Sequence, residues 1–119
     1  MGRICRKNLS NWPEAAFTAH FHNTRGMGLA NALAAMRAGI DRFDVSLGGL
    51  GGCTYAPGAS GNICTEDLVH MFQHMGMDTG VDLDKLLRCA AGLPELVGHD
   101  VPGAVLKAGK SARRYPKPK

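Results

Sequence analysis

The order of apolar and polar positions divides the chain into short stretches of contrasting period. From Ala16 the side chains alternate, with Phe17, Ala19 and Phe21 on one side and Thr18, His20 and His22 on the other. A period of two predicts a β-strand over residues 15–23, apolar on one face and carrying two imidazoles on the other. From Gly26 to Gly39 the period lengthens: Leu29, Leu33, Met36 and Ile40 recur at spacings of four, three and four. That is a helix, and Gly39 is a suitable stop. A second strand follows over residues 41–47, with Phe43, Val45 and Leu47 on one face and Asp44 and Ser46 on the other.

A further helix begins near Thr65, with Glu66 and Asp67 in its first turn, where the helix dipole favours acids. Leu68, Met71, Phe72 and Met75 form its apolar stripe and Gly76 ends it. A shorter helix runs from Asp82, an N-cap candidate, to Ala91, with Leu83, Leu86, Leu87 and Ala90 on its apolar face. Residues 1–13 read as an irregular lead-in, and residues 94–119 as a Pro- and Gly-punctuated region with a short helical piece around Val105.

Strand, helix and strand in this order make a βαβ unit, with parallel strands and a right-handed crossover. The fold class is therefore α/β. A parallel sheet of two or three strands has faces it cannot cover, so this stretch is expected to be part of something larger. Between the second strand and the next helix, seven of the 14 residues from Gly48 to Gly61 are glycine or proline. So much glycine predicts a loop with positive φ angles or close backbone approach. No Gly-Lys-Ser/Thr follows, so it is not a phosphate loop.

Composition agrees with one modest domain: 119 residues, 45% hydrophobic and 20% charged. There is no run of 18 apolar residues to span a membrane, and no apolar segment follows the basic first residues as in a secretory signal. The net charge of +4 is concentrated in the tail: Lys107, Lys110, Arg113, Arg114, Lys117 and Lys119 occur without an acid among them. Residues 1–106 carry eight Lys and Arg against ten Asp and Glu, a balance of −2. A nucleic-acid-wrapping surface is not expected, and the tail reads as a solvated end. Cys5, Cys53, Cys64 and Cys89 form no Cys-x-x-Cys pair, which points to reduced thiols in a cytoplasmic setting.

Three features carry chemistry. His20 and His22 share a strand face roughly 6–7 Å apart, close enough for two imidazoles to reach one cation. They fall at the C-terminal end of a parallel strand, where α/β folds build their sites. Asn62 closes the glycine loop and is a candidate oxygen ligand suited to Mg²⁺ or Mn²⁺. Cys53 lies inside that loop, where a tuned thiol can act as acid, base or nucleophile. Cys64 and Cys89 read as structural. His70 and His74 share one helix face but lack the Glu of His-Glu-x-x-His, so they read as solvated. His99 is assigned nothing.

These segments together resemble hydroxymethylglutaryl-CoA lyase. The likeness rests on His20-Phe21-His22-Asn23-Thr24-Arg25-Gly26-Met27, Phe43-Asp44, Gly48-Gly49-Leu50-Gly51-Gly52-Cys53, Ala56-Pro57-Gly58-Ala59-Ser60-Gly61-Asn62 and Thr65-Glu66-Asp67-Leu68. It covers about residues 15–110 and continues through Gly98-His99-Asp100-Val101-Pro102-Gly103. The resemblance implies the C-terminal portion of a (β/α)₈ TIM barrel, about its last three units. The barrel part would span residues 14–106, between the lead-in 1–13 and the basic tail 107–119. The implied metal ligands are His20, His22 and Asn62, the cation is Mg²⁺ or Mn²⁺, and Cys53 takes part in proton transfer. The implied reaction is the retro-Claisen cleavage of 3-hydroxy-3-methylglutaryl-CoA to acetyl-CoA and acetoacetate.

The expected partners are an acyl-CoA substrate and either a second copy of the chain or a complementing N-terminal half, with no nucleic acid and no membrane. A complete barrel takes about 250 residues. The Arg-Asp pair of the family's first strand has no counterpart here, and the isolated chain is expected to be inactive. Asn23 stands where the lyase often has Asp, Thr54 where Pro is common and Val45 where a small residue is usual. Residues 1–12 do not resemble the family's preceding helix. The alternatives are a related 3-hydroxyacyl-CoA lyase, or a non-catalytic remnant or complementing half-barrel.

Overall fold

A computed structural model describes residues 1–119 except Thr54, Arg113, Pro118 and Lys119. Helix α1 (Gly2–Asn11) precedes strand β1 (Thr18–His20), helix α2 (Gly28–Arg37) and strand β2 (Arg42–Asp44). A 3₁₀ turn at Leu47–Gly49 opens the glycine loop. Helices α3 (Thr65–His74), α4 (Leu83–Ala91), α5 (Leu93–Val97) and α6 (Ala104–Ala108) follow. The strands are parallel, pairing Thr18 with Arg42, Ala19 with Phe43 and His20 with Asp44.

The alternation decides which face is covered. Phe21, Phe43 and Val45 pack against a buried cluster of Ala32, Ile63, Leu68 and Phe72. The opposite face, with Thr18, His20, Arg42 and Asp44, is exposed. In α2 the fully buried residues are Ala32 and Ala35, while Leu29, Leu33 and Met36 are half-buried. Small side chains let the helix approach the sheet closely, and the larger ones flank that contact. A second cluster of Ala90, Leu93 and Val101, packed by Leu47, Leu50, Val97 and Leu106, joins the base of the glycine loop to the last helices.

Two expectations about local structure are corrected. The lead-in is not irregular: α1 places Gly2, Cys5 and Leu9 on its half-buried side, at spacings of three and four. Those residues are too small or too few for a hydrophobic stripe, so the period is hidden among basic and polar neighbours. The segment after Gly61 is also more ordered than a loop. Asn62 bridges to His22 and Cys64 bridges in parallel to Ser46, which makes 62–64 a third extended segment beside the sheet. Only Asn-Ile-Cys separates the loop from α3, too short a run for a period to register. Helix α5 opens the region read as Pro- and Gly-punctuated, where Pro94 sits in the first turn and is tolerated.

The glycine loop uses both freedoms that glycine offers. Gly48 has φ +65, in the left-handed region. Its N–H donates to both oxygens of Glu66, each 3.0 Å away. Gly61 is buried, and a Cβ there would be driven into the Gly49 and Gly51 carbonyl oxygens. Asn23 does structural work: its side-chain oxygen accepts the Gly28 N–H at 3.0 Å, an acceptor role that an Asp would also fill. Gly61→Ala is expected to destabilise the chain by about 2 kcal/mol or more, because backbone and not a flexible side chain must move. Urea unfolding monitored by circular dichroism measures it, with Gly52→Ala, exposed and with nothing near its added Cβ, as a reference in the same loop.

Candidate functional site

The site is assembled where β1, β2 and the end of the glycine loop meet. His20 is the last residue of β1 and stands in register with Asp44, the last of β2. The His20 Nδ1 lies 3.0 Å from Asp44 Oδ2. His22 is two residues further on, and its Nδ1 lies 3.3 Å from the Ser60 carbonyl oxygen. The two rings are 5.2 Å apart, edge to face. Asn62, bridged to His22 along the backbone, donates its Nδ2–H to the Leu50 carbonyl at 3.2 Å.

Each of the three side chains thus spends one polar atom on a neighbouring oxygen. Nε2 of both histidines and Oδ1 of Asn62 are left for a ligand. Two imidazole nitrogens and an amide oxygen suit a divalent ion of intermediate hardness, with Mn²⁺ tolerating the nitrogens better than Mg²⁺. Among the described residues no three His, Cys, Asp or Glu side chains gather into a metal-binding group, so the donor set this chain offers is partial and uncharged. An apolar cleft of about 570 Å³ opens on the other face of the sheet, lined by Phe43, Val45 and Phe72 among others, and is separate from these donors.

Residues 1–92 match the HMGL-like family. The chain belongs to the HMGL-like family. It is 48% identical over 106 residues to the (R)-citramalyl-CoA lyase of Chloroflexus aurantiacus, covering 89% of this chain and 33% of that protein. It is 47% identical over 104 residues to a hydroxymethylglutaryl-CoA lyase of Bacillus subtilis, covering 87% of this chain and 35% of the relative. Among solved structures, an HMG-CoA lyase from Acinetobacter baumannii in complex with coenzyme A and 3-methylmalate superposes with a TM-score of 0.92 at 54% identity. That match covers 98% of this chain and 38% of the other. The HMGL-like chain therefore spans about a third of the length of the curated relatives it matches. The family match begins at residue 1, so α1 lies within it, against the expectation that residues 1–12 do not resemble the family's preceding helix. The α/β architecture with parallel strands agrees with these structures, and this chain holds two of the strands.

The remaining residues singled out in the sequence fall in different settings. Cys53 is exposed in the glycine loop and takes no part in the hydrogen bonds of the histidine–asparagine group. Thr54, beside it, lies outside the described residues. Cys64 is buried and donates its S–H to Glu66 Oε2 at 2.9 Å. Burial, reinforced by that bond, pushes its thiol up to about 12. Cys89 is exposed, not packed in the core. Its position next to the buried Ala90 places it on the helix's outer side.

His70 and His74 are not simply solvated. Their rings are 4.3 Å apart, the Ser111 N–H donates to His70 Nε2 at 3.2 Å, and Ser111 Oγ is 2.8 Å from His74 Nε2. The start of the basic tail is therefore docked: Lys110 pairs with Asp84 at 2.7 Å and Lys107 with Asp100 at 2.8 Å. Arg113 and Lys119 lie outside the described residues. No described helix is long and apolar enough to cross a membrane. What the sequence pattern missed is the set of oxygens behind the donors. Asp44 had a signal, since it shares a face with His20 once the strands are parallel. The Ser60 and Leu50 carbonyls had none, because backbone groups leave no mark in a sequence.

Two outcomes follow from these environments. Iodoacetamide at about pH 8 should modify the exposed Cys53 and Cys89 and spare Cys64, whose thiolate is suppressed by burial; peptide mass mapping of native against urea-unfolded chain reads it. His70 is held below its ordinary range, first by burial and then by His74. A histidine with a lowered folded pKa contributes stability above its unfolded pKa of about 6.5 that is lost as pH falls toward the folded value. Tail docking should therefore weaken as pH drops below about 6.5, seen as a falling protection factor of the Ser111 amide relative to its intrinsic exchange rate at each pH, and His70→Phe should remove that pH dependence.

Proposed function

We propose that this chain provides the metal-holding and proton-transferring part of a hydroxymethylglutaryl-CoA lyase. The observation that carries the reading is the grouping of His20, His22 and Asn62, each with one donor atom left over, below a glycine loop that bears an exposed Cys53. The cation would be Mg²⁺ or Mn²⁺, and the substrate 3-hydroxy-3-methylglutaryl-CoA. Residues 14–106 form the barrel part, with the basic tail strapped outside it.

A bound divalent cation would supply Lewis acidity to the hydroxyl and carboxylate oxygens of the substrate. The chain's own residues do the rest of what is assigned here. His20, His22 and Asn62 hold the ion's place at the C-terminal end of the strands. A base takes the proton of the substrate hydroxyl, the oxygen's electrons form the ketone of acetoacetate, and the electrons of the broken C–C bond pass into the thioester to give the enolate of acetyl-CoA. Cys53 Sγ donates the proton that converts this enolate carbon to a methyl group, and becomes a thiolate. Glycines on both sides of Cys53 let the loop bring the thiol in and close over the reacting atoms.

A second reading is supported by the likeness to a citramalyl-CoA lyase. Citramalyl-CoA carries its carboxylate one methylene closer to the hydroxyl carbon, and the same bond cleavage yields acetyl-CoA and pyruvate. The donors described here hold a hydroxyl–carboxylate pair in either substrate, so the residues that measure that one methylene decide between them.

The test is product release from both thioesters with Mg²⁺ or Mn²⁺, using the chain alone and mixed with the N-terminal part of the Bacillus subtilis relative. The chain alone should be inactive and the mixture should release acetoacetate. His20→Ala and Cys53→Ala should each lower the rate of the mixture by about 10²-fold or more. Pyruvate release in place of acetoacetate selects the second reading. No product from a folded mixture overturns both and leaves a non-catalytic remnant.

A further inference from the structure

We infer that Asp44 and the Ser60 carbonyl set the tautomers of His20 and His22, so that both imidazoles present an unprotonated Nε2 on the same side, with Asp44 a positioning residue for His20. This rests on the cation-holding role proposed above. The Ser60 carbonyl oxygen can only accept, so the His22 Nδ1 3.3 Å away is the donor. The Asp44 carboxylate accepts in the same way from His20 Nδ1 at 3.0 Å. A neutral imidazole carries one proton, and once it sits on Nδ1 the other nitrogen is a bare lone pair. Two histidines and two unrelated acceptors arrive at the same outcome.

The alternative use of the His20–Asp44 contact is an ordinary surface ion pair. Its side chains are 45% and 64% exposed, and such a pair contributes only about 0–1 kcal/mol to stability. Direct opposition in the register fixes the contact more firmly than a chance surface meeting, because neither strand can slip without moving every side chain to the other face. The second acceptor comes from the loop that carries Cys53. His22 is thus oriented by the same segment that positions the proposed proton donor. Removing the acceptor behind a metal-binding histidine lowers metal affinity by about 10–100-fold.

The experiment uses the full 119-residue chain with ¹⁵N-labelled histidine, at about pH 8. Long-range ¹H–¹⁵N correlation reads the tautomer directly without any metal. Wild-type chain should show His20 and His22 both protonated at Nδ1. In Asp44→Ala, His20 should shift toward the Nε2-protonated form while His22 stays as it was, and the urea midpoint should move little. Asp44→Asn, which keeps an acceptor oxygen, should restore much of the wild-type pattern. Mn²⁺ titration followed by water-proton relaxation should give a dissociation constant 10–100-fold higher in Asp44→Ala than in wild type. An Nε2-protonated His20 in wild type, or a His20 unchanged by Asp44→Ala, overturns the proposal, and Mn²⁺ binding that persists in that case leaves the cation reading standing. Nδ1 protonation at both rings with no Mn²⁺ binding, by the chain or by its mixture with the N-terminal part of the Bacillus subtilis relative, upholds the tautomer assignment and overturns the cation reading.

Discussion

Glu66 is fully buried at the start of α3, and what it holds decides where the site residues lie. Both carboxylate oxygens receive the Gly48 N–H, and one also receives the Cys64 S–H. A buried polar group without partners costs about 1–3 kcal/mol, more if charged, so the geometry is strongly selected. The consequences run along the chain. Gly48 fixes the exit of β2 and turns it into the glycine loop. The Gly49 and Gly51 carbonyls then lie over Gly61, which has no Cβ to keep them away. Gly61 sets Ser60 behind His22 on one side and Asn62 beside Leu50 on the other. A helix-first-turn acid thus positions two of the three proposed ligands by way of the glycine-loop backbone.

This explains how much of the molecule can be read from its sequence. Side-chain period betrays β1, α2, β2, α3 and α4, because each buries one face against a neighbour that demands apolar residues. Asp82 is legible as a cap and does accept the Lys85 N–H at 3.0 Å. Its carboxyl is held below the usual range, chiefly by that same bond. Helix α1 is not legible, since its inner side is Gly2, Cys5 and Leu9, and Leu9 rests over Gly39. The segment 62–64 is hidden for a different reason: its pairing partners are far apart in sequence and only three residues take part. The tail reads as solvated because charge was counted within it, whereas its partners, Asp84, Asp100, His70 and His74, lie on other elements.

The likeness to known lyases and the geometry also divide the problem between them. Identity near one half over nearly the whole chain fixes the family, while coverage of about a third of each relative leaves the reaction to be tested. The polar face of the sheet makes the same point physically. Thr18, His20, Arg42 and Asp44 are exposed on strands whose parallel pairing belongs to sheets covered on both sides. Parallel pairing of this kind calls for a covering layer on that face, and the C-terminal barrel portion proposed above would place it toward the barrel interior.

Charge shows what such an interior must add. Two imidazoles and an amide bring no formal charge to a divalent cation, and hard ions of this class prefer anionic oxygens. Among the described residues Asp44 brings the only carboxylate hydrogen-bonded to any of the three proposed ligands, and it contacts His20. In the arrangement inferred above its effect is to hold the His20 ring by Nδ1 and leave Nε2 facing outward. A site built this way orients a cation well and neutralises it poorly. Full affinity and full Lewis acidity would then depend on anionic groups from outside this chain, including the substrate's own carboxylate. In the function proposed above, such an arrangement would favour binding of cation and substrate together over binding of the cation alone.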